Sequence, residues 1–240
     1  MIIAMLLAHL IGDYILQWDA LAYWKSRALK GVLVHGSIVL VVTVLLAALT
    51  DLSWWTWAIF IGLTHTAIDA AWLWFNRRFT PRHGLYALAR LMLDQIAHLS
   101  VIAIALIASG YLMPSSLLSD LIVTLQTHRV LAIALGYAFV TLPAWILIEF
   151  TLYGLVNGSA PDLKTTTHNK YIGSLERGLM TTFVLLGQFA LVPLVALPRL
   201  VLDSPHILGN DRTTLYVAEW LGSLAVAVLI GLGLKRLTGF

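Results

Sequence analysis

Long apolar runs dominate this chain, and they recur at lengths that suit helices crossing a membrane. A helix needs about 20 apolar residues to cross a bilayer. The runs are continuous rather than alternating, which excludes a transmembrane β-barrel. We therefore predict an all-α, polytopic transmembrane helix bundle that forms a single domain over residues 1–240. The predicted spans are seven: 2–22, 30–50, 54–75, 88–112, 130–156, 175–198 and 213–234.

Lysine and arginine are distributed unevenly over the segments between these spans. With seven spans, twelve of the fifteen basic residues share one side, and only Arg129, Arg199 and Arg212 lie on the other. Cytoplasmic loops carry the excess of positive charge, so we predict an outside N-terminus and a cytoplasmic C-terminus. Residues 157–174 then form a cytoplasmic loop. The first run lacks a basic leader and a cleavage site, and we interpret it as an uncleaved span.

Composition supports this class and removes several others. The chain is 60% hydrophobic and 11% charged, whereas soluble domains carry roughly 25% charged residues. There are no cysteines, so disulfides and thiolate metal sites are excluded. The net charge of +3 follows from the cytoplasmic loops, and we predict no nucleic-acid partner. No lysine falls inside a predicted span, which excludes a retinal Schiff base.

Seven titratable residues interrupt the first four spans. HLIGD and HTAID both read His-x-x-x-Asp, and DQIAH reads Asp-x-x-x-His, so each pair lies on one face of its helix. The alternating direction of the spans brings all seven to a similar level, in the cytoplasmic half of the membrane. The seven residues are His9, Asp13, His35, His65, Asp69, Asp94 and His98.

Such a cluster is costly, and three readings explain it. A carboxylate at a helix centre costs roughly 2.5–3.5 kcal/mol on insertion scales, and intramembrane ionisable groups usually face a partner. The groups could simply join the helices, or form a proton or ion relay. We favour a metal centre, because imidazole and carboxylate suit zinc, and also iron or manganese.

If the cluster is a metal centre, the positions of its residues suggest their roles. We expect one or two divalent transition-metal ions, zinc first, with Asp13 as the candidate catalytic base. Gln17 and Gln95 are candidates for substrate binding. The expected metal ligands are His9, His35, His65, Asp69, Asp94 and His98.

Several blocks of the chain also resemble a known family. HLIGDYILQWD, VLVHGSIV, THTAIDAAW, LMLDQIAHLSV and the late block YIGSLERGLMTTFVLLGQ resemble the bacterial membrane-protein family catalogued as domain of unknown function 3307. The resemblance implies a multi-pass protein of the bacterial inner membrane and carries no activity. It adds weight to Glu176 and Arg177, as catalytic residues at the entrance, and to Gln188, as a substrate ligand. The chain departs from the family pattern at Leu191, Pro193 and Pro198.

We therefore expect an intramembrane metal-dependent hydrolase or transferase that acts on a lipid or lipid-linked substrate from the cytoplasmic leaflet. Residues 1–112 would carry the site, and residues 113–240 would support it. The alternative is a metal-ion or proton-coupled transporter that uses the same cluster as its ion site. That alternative needs a polar path to the outer face, for which only Glu219 and Gln188 are candidates. A third option is a non-catalytic metal or partner sensor.

Overall fold

The computed structural model describes residues 1–79, 83–158, 167–207 and 213–239. The chain is helical through these ranges, and no strand forms in them. The all-α prediction is therefore confirmed. The helices are α1 (Ile2–Leu10), α2 (Asp19–Lys25), α3 (Leu29–Thr50), α4 (Trp55–Arg78), α5 (Gly84–Ala108), α6 (Leu117–Thr127), α7 (Arg129–Val140), α8 (Leu142–Leu152), α9 (Thr167–Leu185), α10 (Val192–Ile207) and α11 (Thr213–Thr238).

Several of these helices suit a membrane. Four segments are long and apolar enough to cross one: Leu29–Thr50, Leu52–Arg78, Gly84–Ala108 and Thr213–Thr238. Two further pairs are sharply bent, by 92° between Ile2–Ile15 and Asp19–Lys25, and by 106° between Leu117–Thr127 and Arg129–Val140. If each bent pair is one span, the described chain has six candidate spans. The membrane class holds, and the predicted count of seven is not confirmed.

The chain packs as two compact units. Residues 1–81 and 90–131 form the first unit, and residues 82–89 and 132–240 form the second. All seven titratable residues singled out above belong to the first unit.

Helices α3 and α4 approach very closely in the first unit. A Cβ atom on Gly36 would lie 2.1 Å from Thr66 Oγ1, and one on Gly62 would lie 2.5 Å from Leu40 Cδ1. Small residues at such crossings let helix backbones approach each other. The close approach brings His35 of α3 beside His65 of α4.

One end of the first unit is filled by apolar side chains. These come from the beginning of α1, the end of α3, the beginning of α4 and the end of α5. The titratable residues lie toward the opposite end of the same helices. The buried members of this apolar cluster are Ile2, Ala4, Met5, Ala47, Trp54, Ala58, Ile61, Ile102, Ala105, Leu106 and Leu112.

The first predicted span, 2–22, is not one straight helix. After α1 the chain forms a π-helical turn, Ile11–Ile15, and then bends by 92° into α2. Helix α2 exposes Tyr23 and Trp24, as expected of a helix at a membrane interface. Gly31 lets the end of α2 pack very closely against α3, because a Cβ there would lie 2.5 Å from the Trp24 carbonyl carbon and 2.6 Å from the Lys25 nitrogen.

The fifth predicted span, 130–156, is divided at Thr141 between α7 and α8. Pro143 lies in the first turn of α8, where its missing N–H costs least. Arg177 donates from Nε to the Val140 carbonyl at 2.7 Å and from Nη2 to the Thr141 carbonyl at 2.8 Å. The buried guanidinium thereby satisfies the carbonyl groups that the break exposes.

The sixth predicted span, 175–198, is a helical hairpin rather than a single helix. Helix α9 ends at Leu185, and Gly187 adopts a left-handed φ of 76° before α10 begins. Arg199 Nη1 donates to Glu176 Oε2 at 3.2 Å. In one straight helix these two residues would be separated by about 34 Å, so the chain must reverse between them. The part of the predicted loop at 159–166 lies outside the described residues, and α9 begins at Thr167.

Helix α11 runs parallel to α9. Arg177 Nη1 donates to Ser223 Oγ, and Thr181 Oγ1 donates to the Ala227 carbonyl, so the pairing advances in the same direction along both helices. Lys235 Nζ consequently lies beside Gly187, at the end of α9. The prediction of seven spans placed Lys235 and Lys170 on the same side of the membrane. In the structure, Lys170 lies near the beginning of α9 and Lys235 lies beside its end.

We expect Gly36→Ala to destabilise the protein by about 1–3 kcal/mol, because overpacking at the α3–α4 crossing displaces Thr66. Thermal unfolding in detergent measures the change. Adding Thr66→Ala removes two of the three clashing atoms and should recover part of the loss. Gly233→Ala is the matched control, since its Cβ would enter open space. Equal unfolding temperatures for Gly36→Ala and Gly233→Ala would contradict the close crossing.

The parallel arrangement of α9 and α11 can be tested by cysteine labelling, because the chain has no cysteine of its own. Cysteines at the exposed positions Tyr171 and Thr214 should react with an impermeant maleimide from one side of sealed vesicles. A cysteine at exposed Arg236 should react from the other side. Reaction of positions 171 and 236 from the same side would restore the seven-span alternation.

Candidate metal centre

Four buried side chains converge where the π-helical turn meets α3 and α4. His35 Nε2 lies 3.1 Å from Asp13 Oδ1 and 3.2 Å from His65 Nε2. Asp69 Oδ2 lies 3.4 Å from His65 Nε2 and 3.5 Å from His35 Nε2. His35 has no exposed surface. Three chain segments thus direct two imidazole nitrogens and two carboxylate oxygens at one another.

These distances match the edges of a metal coordination shell. Zinc binds nitrogen and oxygen ligands at about 2.0–2.2 Å in tetrahedral geometry, which separates neighbouring ligand atoms by about 3.3–3.6 Å. The five separations that involve His35 Nε2 or His65 Nε2 among these four atoms fall between 3.1 and 3.8 Å. The set Asp13, His35 and His65 can therefore hold a metal ion with little movement.

Helix α5 supplies a second layer of donors. The His98 ring stacks on the His65 ring with centroids 4.0 Å apart. His98 Nε2 lies 3.4 Å from Asp94 Oδ1 and 3.8 Å from Asp69 Oδ1. Two more ligand sets result, His65 with Asp69 and His98, and Asp13 with Asp94 and His98. The overlapping sets have enough donors for one ion or two.

Some buried nitrogens in the cluster lack hydrogen bonds. Neither ring nitrogen of His98 has a hydrogen-bond partner, and neither does His35 Nδ1. Burial of a polar atom without a partner carries a free-energy cost, and most such atoms are satisfied by protein, water or an ion. A cation bound within the cluster would give His98 Nε2 a partner.

Gln95 connects the cluster to His9. The His9 Nε2–Gln95 Oε1 distance is 3.0 Å, and Gln95 Nε2 donates to Asp13 Oδ2 at 3.3 Å and to Asp94 Oδ2 at 3.1 Å. His9 was a predicted metal ligand, but its Nε2 contacts Gln95 and it belongs to none of the three described ligand sets. Gln95 thus joins His9 to two carboxylates of the cluster, and the predicted roles of His9 as a metal ligand and of Gln95 in substrate binding stay predictions.

Lys25 is the member of the site that sequence reasoning missed. Its Nζ lies 3.0 Å from Asp69 Oδ2 and 3.5 Å from Asp13 Oδ1. The sequence prediction placed it in a loop beyond the first span. The helix breaks at residues 16–18, and the end of α2 packs closely against Gly31. The Lys25 side chain therefore lies at the cluster. The polar sequence QWD at 17–19 is the signal that the first span ends early.

Two side chains of the cluster are partly exposed, and we call the edge that they form the mouth. Lys25 and Asp94 form it, with side chains 21% and 22% exposed, whereas the Asp69 side chain is 3% exposed. On the other side of the cluster lies a cavity of about 10 Å³, lined in part by Met5 and Ile61. That volume holds about one water molecule, and the apolar cluster lies beyond it.

The remaining predicted site residues lie elsewhere in the chain. Glu176 and Arg177 belong to the second unit, where they contact Arg199 and the α7–α8 break respectively. Gln188 is in the turn of the α9–α10 hairpin, and its N–H donates to the Phe183 carbonyl. Gln17 Oε1 is buried without a hydrogen-bond partner, between the π-helical turn and α2. Their roles in catalysis or substrate binding stay predictions.

The fold and the cluster define a class: helical, membrane-like proteins in which buried histidine and aspartate groups can hold a metal ion. Within that class, the chain belongs to the family described as protein of unknown function (DUF3307), which matches residues 1–136. The match spans all seven clustered residues and Lys25, while the late motif around Glu176 lies beyond it. Comparison with curated proteins and with solved structures gives no match.

The contact between Lys25 and Asp69 predicts coupled effects on stability. In the presence of a chelator, we expect Lys25→Met and Asp69→Asn each to destabilise the protein by leaving a buried charge uncompensated. The double variant should lose less than the sum, by about 1–3 kcal/mol, as residues in contact do. Thermal unfolding of the wild type, the two single variants and the double variant measures this coupling. In the control set, Lys30→Met replaces Lys25→Met, and its effect should add to that of Asp69→Asn. Strict additivity in the Lys25 set as well would contradict the ion pair.

Proposed function

We propose that the cluster is a divalent metal centre, with zinc as the first candidate, in an intramembrane hydrolase or transferase. The convergence of Asp13, His35, His65 and Asp69 within metal-shell distances carries this proposal. The partial exposure of Lys25 and Asp94 supports an enzyme, because it gives a substrate access to the cluster. The substrate would be a lipid or a lipid-linked molecule.

We propose roles for the carboxylates that differ from those expected from the sequence. Asp13 faces His35 and is 5% exposed, so it suits a ligand better than the predicted catalytic base. Asp94 lies at the mouth with one oxygen held by Gln95, and it becomes the proton acceptor in our proposal. A bound ion would supply Lewis-acid chemistry at the adjoining site. His98 then belongs to a second ligand set or orients Asp94.

The surroundings of the mouth support a substrate from the membrane interface. Helix α2 ends at Lys25 and exposes Trp18, Tyr23 and Trp24 close to it in the chain. The Arg27 guanidinium lies 4.2 Å from the Tyr23 ring centroid. Aromatic and basic side chains of this kind favour the headgroup region of a bilayer.

The charge distribution supports a mouth on the cytoplasmic side of a bacterial inner membrane, with the N-terminus outside. It does not decide the side of the C-terminus. With α9 and α11 parallel, Arg199 exchanges sides with Lys235 and Arg236, and the excess of basic residues stays on the same side. We therefore propose that the C-terminus lies on the outer side, opposite to the side predicted from seven spans.

The transporter alternative lacks support in the first unit. A transported ion would have to pass from the cluster through the opposite end of the same helices. In the described part of that unit, this end is the apolar cluster around Met5, Ile61 and Ile102. Such packing presents no ligands to a cation along that route.

Metal content tests the centre directly. Purified wild-type protein, loaded with zinc and desalted, should retain one or two equivalents by elemental analysis. His65→Ala should lose most of the metal, because His65 belongs to two of the three ligand sets. His128→Ala, at an exposed histidine, should keep the wild-type content. Metal-free wild-type protein, or equal content in His65→Ala, would contradict the proposal.

The enzymatic part of the proposal has its own test. Zinc-loaded protein in vesicles of total bacterial lipid should generate a lipid cleavage or transfer product, detected by mass spectrometry. Asp94→Asn should retain the ion held by Asp13, His35 and His65 but lose activity about 100-fold or more, since proton transfer typically contributes 10²–10⁴-fold. Absence of any product with the metal-loaded wild type would contradict the enzyme and leave the metal centre standing.

A further inference from the structure

Lys25 faces the same carboxylate oxygens that a metal ion would bind. Its ammonium group is within 3.5 Å of both Asp13 Oδ1 and Asp69 Oδ2. Those two oxygens also lie within 3.5 Å of His35 Nε2. A divalent cation and the ammonium group would therefore share two anionic oxygens, and they would repel each other at close range.

A metal ion and Lys25 would compete for these oxygens, and of the groups around them only the Lys25 side chain can move away. His35 and the two carboxylates are held by α3, α4 and the π-helical turn, and they are almost wholly buried. The Lys25 side chain is partly exposed at the mouth and has four rotatable carbon segments. Its backbone is fixed by the contact with Gly31, so the ammonium group stays close to the site after it leaves the oxygens.

We propose that Lys25 is a tethered cation that competes with divalent metal for Asp13 and Asp69 and so sets the metal affinity of the site. Without metal, the ammonium group compensates the two carboxylates. When metal binds, the ammonium group moves to the mouth. This inference rests on the proposed metal centre.

The first test compares zinc affinity among variants of the full-length protein in detergent, by competition with a chelating dye. Lys25→Met should bind zinc about tenfold more tightly or better, because a close repulsive charge is removed. Lys25→Arg keeps the charge, and Lys30→Met removes an exposed charge outside the site; both should resemble the wild type. Unchanged or weaker binding by Lys25→Met, with wild-type protein that does bind zinc, would overturn the inference alone. Absence of zinc binding in every protein would overturn the metal centre too.

The second test uses the wild-type protein and so does not depend on how a variant folds. An amine-reactive reagent should modify Lys25 several-fold faster after zinc loading, as quantified by peptide mass spectrometry. Lys30, which is exposed and outside the cluster, is the internal control and should react at the same rate in both states. Equal or slower modification of Lys25 in the zinc-loaded protein would show that the ammonium group does not leave.

Discussion

The first unit depends on compensating two carboxylates, Asp13 and Asp69, that are buried among apolar helices. An isolated ionised carboxylate in such surroundings is very unfavourable. The structure answers with the ammonium group of Lys25 and with the imidazoles of His35 and His65, all within 4 Å. The same carboxylate oxygens suit a metal cation, because oxygens that are arranged around the Lys25 ammonium group can bind a different cation in its place.

That constraint explains the packing around the site. Gly36 lets α3 and α4 approach until His35 and His65 are in contact, and Gly31 holds α2 so that Lys25 reaches inward. The π-helical turn at 11–15 shifts Asp13 within the first span, and such turns are frequent at functional sites. In the described part of the first unit, polar groups are concentrated at one end of the helices and apolar side chains fill the other.

Helix geometry made much of the site predictable from sequence. The i,i+4 spacing of His65 and Asp69 and the alternating direction of the spans placed the clustered groups at one level. Lys25 was missed because its position depends on the bend at residues 16–18, inside the predicted first span, and on the close packing of α2 against Gly31, which is tertiary. The hairpin at Gly187 was missed for a related reason: residues 175–198 are apolar for the length of a span. The pairing of Arg199 with Glu176 reveals the reversal, and that contact is tertiary.

The proposed metal centre requires that His35, His65 and the neighbouring carboxylates bind a divalent metal ion directly. X-ray absorption spectroscopy at the zinc edge of the purified, zinc-loaded protein tests it most closely. We expect a first shell of nitrogen and oxygen at about 2.0–2.1 Å, with outer-shell scattering from two or more imidazoles. A shell of oxygen alone, without imidazole scattering, would contradict this metal centre, because the ion would then be bound without His35 and His65.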